Sequence, residues 1–239
     1  MNFSQKHKSY HRAASIQEKI SVWAAGWLPK VPGLPCPPLE VGAGTGLFTK
    51  HLANQFPSLI ASDLSDTMLA EGKTHCPTAN WEVLDAWNLK DNRIFGGIFS
   101  SSLLQWCPSP LETFKNWYQH MAPDSWMLHT FFVEGTLREL EAIAPECIAV
   151  KFRKPGEWES SLESAGFEIL QTEAREDFQC YPDAMAFFRN LHDLGATTPQ
   201  KIRPAKLRGI IEQYNWAHRQ GGDVLATWKT MKVLCQKPA

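Results

Sequence analysis

The stretch Leu39-Glu40-Val41-Gly42-Ala43-Gly44-Thr45-Gly46 predicts a short strand that runs into a glycine turn and then into a helix over 47–55. Glycines at alternate positions let the backbone turn tightly and come close to a ligand, because no Cβ stands in the way. The dinucleotide fingerprint G-x-G-x-x-G is spaced differently and binds a pyrophosphate. Here Glu40 lies beside the turn, and a carboxylate suits a cationic ligand better than an anionic one. The alternative is a glycine-rich turn that binds no ligand.

Two more acids follow the next predicted strands. Asp63 ends the predicted strand over 58–63, and Asp85 follows the one over 81–84. In nucleotide-binding sheets, an acid at the end of the second strand accepts hydrogen bonds from ribose hydroxyls. Either acid alone could be a solvated strand end. Three acids at three successive strand ends, counting Glu40, favour a nucleotide site. A helix over 65–73 follows, and Asp66 could cap it.

The pattern E-x-G-x-G-x-G, followed by Asp63 and Asp85, resembles the cofactor site of class I methyltransferases. Their cofactor, S-adenosyl-L-methionine, carries an ammonium and a sulfonium. The resemblance implies that Asp63 binds the ribose, and that Asp85 and the next backbone amide meet the adenine. The cofactor-binding residues expected on this basis are Tyr10, Glu40, Gly42, Ala43, Gly44, Gly46, Asp63, Leu64, Met68, Asp85, Ala86, Trp87, Ser100 and Ser101.

The length and amino-acid composition of the chain are sufficient for one large domain with a full hydrophobic core. Of its 239 residues, 44% are hydrophobic and 21% charged, with a formal net charge of -1, so nothing global indicates nucleic acid binding or disorder. No apolar run of about 18 residues predicts a membrane span. Residues 1–10 are polar and lysine-bearing, unlike a secretory signal. Six scattered cysteines without a C-x-x-C pair argue against a metal site and for reduced thiols, so we expect a cytoplasmic protein.

Strands alternate with helices along the chain, which predicts an α/β fold with right-handed crossovers. Together with the cofactor pattern, this favours a Rossmann-like class I methyltransferase fold: a seven-stranded, mostly parallel sheet with a helical lid. The strands predicted after the first cover 58–63, 81–84, 94–100, 126–133, 167–177 and 224–235. The predicted helices cover 13–28, 47–55, 65–73, 110–121, 138–144, 155–165, 183–194 and 204–218.

We expect a single methyltransferase domain over 1–239. Near its N-terminus an amphipathic helix presents one apolar face, formed by Ile16, Ile20, Trp23 and Trp27 at helical spacing. The helices between the last two strands exceed what a seven-stranded core needs. Both extra parts are candidates to cover the carboxyl ends of the strands, where open α/β sheets bind ligands. The expected parts are 1–30 as N-terminal lid helix, 31–180 and 224–239 as sheet core, and 181–223 as helical insertion.

The run Ser100-Ser101-Ser102-Leu103-Leu104-Gln105-Trp106-Cys107 narrows the resemblance. It is similar to a Leu-x-Leu-Gln-Trp stretch that the malonyl-acyl-carrier-protein O-methyltransferases of biotin synthesis carry after the fourth strand. The lead-in from Phe3 through Tyr10 to Gln17 and the helix end over 188–197 resemble that family too. The resemblance implies methylation of the free malonyl carboxylate on acyl carrier protein, with Tyr10 reaching the cofactor pocket. Gln105 and Trp106 would position the acceptor.

Methyl transfer to a carboxylate needs little catalytic machinery. A carboxylate of pKa about 4 is already ionised at pH 7, so no general base is required. Positioning and removal of water remain for the protein to supply. Arg138, Lys151 and Arg153 are the candidates for binding the acceptor carboxylate. Two alternatives stay open: methylation of another small carboxylic acid, a fatty acid or a quinone, and a non-catalytic methyltransferase-fold binding protein.

Charge is distributed unevenly along the chain. Residues 1–30 have a net charge of +4 and residues 201–239 a net charge of +6, so the middle is acidic. If the two ends meet on one side of the fold, that side would attract an acidic partner such as acyl carrier protein. Ordinary solvated faces are the alternative. Nucleic acid and a membrane-spanning segment are not expected.

Overall fold

One mixed β-sheet is the framework of the protein, for which a computed structural model describes residues 15–28, 33–90, 92–197 and 202–239. Its strands are β1 (Leu39–Val41), β2 (Ile60–Asp63), β3 (Asn80–Val83), β4 (Phe95–Ser101), β5 (Met121–Phe132), β6 (Glu168–Tyr181), β7 (Arg219–Gln220) and β8 (Asp223–Gln236). Their order is β3-β2-β1-β4-β5-β8-β6, with β7 paired to β8. The first five strands pair in parallel, whereas β8 is antiparallel to β5, β6 and β7. The predicted α/β fold with a mostly parallel sheet is confirmed, and the two-residue β7 adds to it.

Helices follow most of the strands. They are α1 (Ser15–Ala25), α2 (Thr49–Gln55), α3 (Asp66–His75), α4 (Pro110–Gln119), α5 (Arg138–Ile143), α6 (Pro155–Ser164), α7 (Ala184–Asp193) and α8 (Pro204–His218). Two single-turn 3-10 helices, Leu104–Trp106 and Pro145–Cys147, were not predicted. The helix predicted over 13–28 corresponds to α1, which is shorter at its C-terminal end because it ends at Ala25. Tyr10 and the rest of 1–14 lie outside the described residues.

Several element ends differ from the sequence prediction. Ser65 rather than Asp66 caps α3: Ser65 has an extended backbone and its side chain accepts a hydrogen bond from the Met68 amide at 3.4 Å, while Asp66 begins the helix. The last two long strands extend beyond their predicted ends, because β6 pairs with β8 from Glu168 to Tyr181. Such pairing is a tertiary effect that local composition does not reveal.

Helices cover both faces of the sheet because its strands alternate their apolar side chains between the two sides. On one face Ile98 and Phe131 pack with Trp117 of α4 and Trp158 of α6. On the other face the neighbouring Phe99 packs with the start of α2 and the end of α1. The sheet is therefore buried as the middle layer of three.

A third apolar cluster lies where β5 ends. It joins Ile16 and Ile20 of α1 to Phe132 and Trp228 of the sheet and to the inner faces of α5, α7 and α8. Elements from both ends of the chain thus pack together over one region of the sheet.

No helix among the described residues combines the length and apolar character that a membrane span requires. All six cysteines are described, and each is a free thiol.

Candidate functional site

The glycine turn after β1 has a left-handed backbone at each of its three glycines. Gly42 has φ +64° and Gly44 has φ +57°. A Cβ on Gly42 would lie 2.5 Å from a methyl of Leu103, so this glycine permits close packing. A Cβ on Gly44 would meet nothing within 4 Å. Gly44 therefore exposes bare backbone to open space, which is what a ligand needs for close approach.

Asp63, at the end of β2, holds this turn in place. Its Oδ2 accepts a hydrogen bond from the Gly44 amide at 3.0 Å, and its Oδ1 accepts one from the Ser65 amide at 2.9 Å. Burial raises the pKa of the Asp63 carboxyl, and the backbone donors oppose that shift. The acid predicted to bind a ribose therefore also shapes the turn.

Glu40, in the middle of β1, is a buried acid with an unused oxygen. Its residue is 1% exposed, and Oε2 has no hydrogen-bond partner within the described residues. Burial, with a smaller contribution from the charge of Asp63, raises the pKa of Glu40 from 4.5 to about 8. Buried polar groups are normally satisfied, so the unpartnered oxygen beside the turn suits a cationic ligand.

The third acid, Asp85, lies in the loop after β3. Its Oδ1 accepts a hydrogen bond from the Trp87 amide at 2.9 Å. Helix α4 holds this loop in place, because Trp117 Nε1 donates to the Ala86 carbonyl at 2.7 Å. The second and third acids and the loops that follow them thus face the same space as the glycine turn.

That space is a cavity of about 430 Å³. Ten of the predicted site residues line it: Gly42, Gly44, Asp63, Leu64, Met68, Asp85, Ala86, Trp87, Gln105 and Trp106. A smaller pocket of about 50 Å³ adjoins it, and three further predicted residues, Glu40, Ala43 and Ser101, line that pocket. Gln17, Gly42, Gly44 and Ser102 border both spaces.

Two predicted site residues line neither space. Gly46 has φ +90° and faces the ring of Trp81. Ser100 is buried, and its hydroxyl is 2.8 Å from Nδ1 of His129, a histidine whose pKa burial lowers to about 3. In a strand, successive side chains point to opposite faces, so a shift of one residue directs Ser101 rather than Ser100 toward the pocket.

The turn after β4 holds several polar groups against the cavity. Ser102 has a left-handed backbone, φ +57°, and its amide donates to the Thr130 carbonyl at 2.8 Å. Gln105 Nε2 donates to the Ser102 carbonyl at 2.6 Å. Ser102 Oγ and Gln105 Oε1 are buried without a partner among the described residues. A strained backbone with unsatisfied polar atoms is typical of a functional site.

Most of the lining residues fall into two sets. The motif set comes from the loops after β1, β2 and β3 and comprises Gly42, Gly44, Asp63, Leu64, Met68, Asp85, Ala86 and Trp87. The apolar set comes from later segments and comprises Phe132, Leu137, Ile148, Val150, Phe152, Leu194, Ala196 and Trp228. Within the part of the chain that the structure describes, no lysine, arginine or histidine lines the cavity.

The basic residues predicted to bind an acceptor carboxylate point elsewhere or are held by other groups. Arg138 pairs with Glu176 at 2.9 Å, and Arg153 donates to the Cys107 carbonyl at 2.9 Å. Lys151 is exposed, and its neighbours Val150 and Phe152 line the cavity in its place. None of the three cations contributes to the cavity wall.

Sequence reasoning missed Gln17, Ser102 and the whole apolar set as lining residues. Gln17 carried a readable signal, a polar residue within the apolar face of α1, whereas the apolar set carried none. The residues that do converge fit the expected cofactor: an unpartnered carboxyl oxygen for an ammonium, two acids for ribose and adenine, and open backbone at Gly44.

Comparisons with known proteins agree with this geometry. A family model described as a methyltransferase domain matches residues 14–172. The malonyl-[acyl-carrier protein] O-methyltransferase of Anoxybacillus flavithermus is 24% identical, with 95% of this chain and 92% of the relative covered. A relative of the same name from Methylococcus capsulatus is 25% identical, with 99% and 92% covered. The YcgJ protein of Bacillus subtilis shares the fold, with a TM-score of 0.66 at 12% identity over 91% of this chain and 99% of that one.

Proposed function

Because the chain belongs to the methyltransferase-domain family and is an S-adenosylmethionine-dependent methyltransferase, we propose that its acceptor is the free carboxylate of malonyl-acyl carrier protein. The product would be a methyl ester that serves as a precursor in biotin synthesis. Support comes from relatives of that name, which align over more than nine-tenths of both chains. The structural observation that carries the proposal is a cavity in which a cofactor motif adjoins an apolar wall, to which the described part of the chain contributes no basic side chain.

The motif set, together with Glu40 in the adjoining pocket, would hold the cofactor. Asp63 and Asp85 accept hydrogen bonds from ribose and adenine, Glu40 faces the ammonium, and the backbone at Gly44 allows close approach. When bound, the cofactor would supply its sulfonium methyl group: the acceptor oxygen attacks the methyl carbon in line, and the neutral thioether S-adenosylhomocysteine leaves. The binding residues therefore need to align the two reactants rather than to transfer protons.

The apolar set would remove water from the acceptor. A carboxylate next to apolar walls such as Phe132, Val150 and Trp228 loses hydration, and its attraction to a positive charge grows in the lower dielectric. A guanidinium in the wall would compete for that negative charge, so neutral walls favour attack. Gln105 and Trp106 line the same cavity and would position the acceptor.

The extra helices would form the lid. We propose 1–30 and 181–223 as covering parts of one domain, with 31–180 and 224–239 as the sheet core. Residues Leu194 and Ala196, which follow α7, already line the cavity, as does Gln17 of α1. A lid built from both parts would exclude water when it closes.

The carrier protein would approach a basic surface. The residues at the start of α8 include Arg203, Lys206 and Arg208, and Lys206 forms an exposed ion pair with Glu146 at 2.6 Å. Acyl carrier proteins are acidic, so these cations would steer the encounter and make it sensitive to salt. Such an enzyme would work in the cytoplasm.

The apolar wall also favours a second candidate, methylation of another small carboxylic acid, a fatty acid or a quinone. One assay separates the two. Purified protein is incubated with methyl-labelled S-adenosylmethionine and, in turn, malonyl-carrier protein, acetyl-carrier protein, free malonate and a medium-chain fatty acid. We expect a base-labile label on malonyl-carrier protein alone, since acetyl lacks the carboxylate. Labelling of the free acids in preference to malonyl-carrier protein would contradict the proposal.

A further inference from the structure

Gln17 is a polar residue in the buried stripe of α1. The stripe consists of Ile16, Gln17, Ile20, Ser21 and Ala24, which recur at the spacing of one helix face. Gln17 is only 7% exposed. Ser21, the other polar member, is satisfied within the helix, since its hydroxyl donates to the Glu18 carbonyl at 2.8 Å. Gln17 differs, because its Oε1 is buried without a partner among the described residues.

Gln17 lies where the main cavity meets the smaller pocket. It borders both spaces, together with the Gly42–Gly44 turn and Ser102. Glu40, whose Oε2 is also buried and unpartnered, lines the smaller pocket. At about 50 Å³ this pocket has room for a small charged group but not for a nucleoside. Unsatisfied polar atoms from two separate elements therefore converge on one small space.

We infer that Gln17 binds the α-amino acid end of S-adenosylmethionine, an assignment that rests on the cofactor named above. Asp63 and Asp85 line the main cavity and suit the ribose and adenine. The unpartnered oxygens of Glu40 and Gln17 are therefore left to bind the methionyl part. That part carries an ammonium and a carboxylate. A carboxamide can accept from the first and donate to the second, whereas Glu40 can only accept once ionised.

Helix α1 is held firmly enough to place such a contact. Trp23, less than two turns after Gln17, has two cations over its ring: Lys232 Nζ is 4.2 Å and Arg175 Cζ 4.3 Å from the ring centroid. Lys232 Nζ also contacts the Trp23 carbonyl at 3.2 Å and Glu173 at 3.3 Å. These contacts fix α1 on β6 and β8 and thereby orient its buried stripe.

The test compares two ligands that differ only at the inferred contact. S-adenosylhomocysteine has the α-amino acid end, and 5′-methylthioadenosine lacks it while keeping the nucleoside and the sulfur. Gln17→Met keeps the length of the side chain and removes both polar atoms. We expect Gln17→Met to weaken S-adenosylhomocysteine binding about tenfold by calorimetry, which corresponds to about 1.4 kcal/mol, and to leave methylthioadenosine binding within about twofold.

Ser21→Ala is the matched control, because Ser21 shares the buried stripe but lines neither space. It should bind both ligands like the wild type, and circular dichroism should show both variants folded. Equal weakening of both ligands in Gln17→Met, or S-adenosylhomocysteine affinity within twofold of wild type, would overturn the inference while leaving the proposed function intact. A wild-type protein that binds neither ligand would overturn both.

Discussion

The motif set and the apolar set line one cavity but are built in different ways. The motif set comes from three successive strand ends within 42–87, where parallel strands bring their carboxyl ends together. The apolar set comes from residues between Phe132 and Trp228 that are far apart in the sequence and meet only in the folded chain. The motif set provides hydrogen-bonding groups, whereas the apolar set shapes the cavity and excludes water from it. The difference implies that cofactor binding and acceptor choice can be altered separately.

The largest expected effect comes from filling the space at Gly44. Gly44→Ala places a Cβ in the open space where the ligand approaches the backbone, so S-adenosylhomocysteine affinity should fall about a hundredfold or more. Gly221→Ala is the matched control: it has φ +58°, against +57° for Gly44, and equally open surroundings, but lies in the exposed turn before β8. Each change costs about 1 to 2 kcal/mol of backbone strain. Equal melting temperatures with unequal binding would separate function from strain, and a Gly44→Ala protein that binds normally would refute the motif assignment.

A new charge in the apolar set should change acceptor turnover without changing cofactor binding. Val150→Glu adds a carboxylate to the wall, which would repel the malonyl carboxylate across the cavity. At an effective dielectric constant of about 20 this repulsion lowers kcat/KM for malonyl-carrier protein about tenfold or more. The same substitution at Val22, exposed on α1, is the control. A fall in S-adenosylhomocysteine affinity in Val150→Glu would show that the two sets do not act separately.

Cofactor affinity should depend on pH through Glu40. Its pKa is raised to about 8 in the ligand-free protein, so the carboxyl is protonated at neutral pH and must ionise to face an ammonium. Affinity should therefore rise up to about tenfold per pH unit toward pH 8, and calorimetry at pH 7 in two buffers should detect release of about one proton. The same shift makes the ligand-free protein lose stability as pH rises from about 4.5 through about 8.

Glu40→Gln supplies the comparison for this pH effect. The amide does not titrate, so proton release and the rise in affinity with pH should both vanish in the variant. Proton release that persists in Glu40→Gln would assign the titration to another group, with Asp63, whose pKa burial also raises, as the next candidate.

The smallest effect concerns α1, whose Gln17 borders both the main cavity and the smaller pocket. Trp23→Leu removes the ring that Lys232 and Arg175 contact, which should loosen α1 and weaken S-adenosylhomocysteine binding a few-fold while leaving methylthioadenosine binding unchanged. Trp216→Leu is the control, since Trp216 is 87% exposed on α8. Hydrogen exchange over residues 15–25 should speed up only in Trp23→Leu. Unaltered exchange there would mean that the ring contributes nothing to holding the helix.

The motif set and the adjacent Glu40 could be read from sequence because their chemistry is local. Glu40, Asp63 and Asp85 each follow a short apolar run, and the glycines stand together, so the strand order alone brings them into one place. The prediction that Ser100 binds the cofactor shows the limit of local reading. Ser100 and Ser101 are neighbours in β4 and therefore point to opposite faces, so Ser101 lines the smaller pocket while Ser100 meets His129. A one-residue uncertainty in a strand end is enough to reverse a side chain.

The apolar set had no sequence signal that local reasoning could use. Leu137, Val150 and Leu194 look like ordinary core residues, and only the packing of α5 and α7 over the sheet makes them a wall. The basic residues Arg138 and Arg153 were conspicuous in sequence, yet Glu176 and the Cys107 carbonyl hold them. Charge in a sequence marks a possible contact, while the fold decides which partner it meets.

A crystal structure of the protein with S-adenosylhomocysteine tests the central claim most directly, because it shows how the two sets divide one ligand. We predict adenosine between Asp63 and Asp85, the α-amino acid end at Glu40 and Gln17, and the sulfur facing the apolar set. Adenosine placed against Phe132 and Trp228, or a ligand bound outside this cavity, would contradict the account.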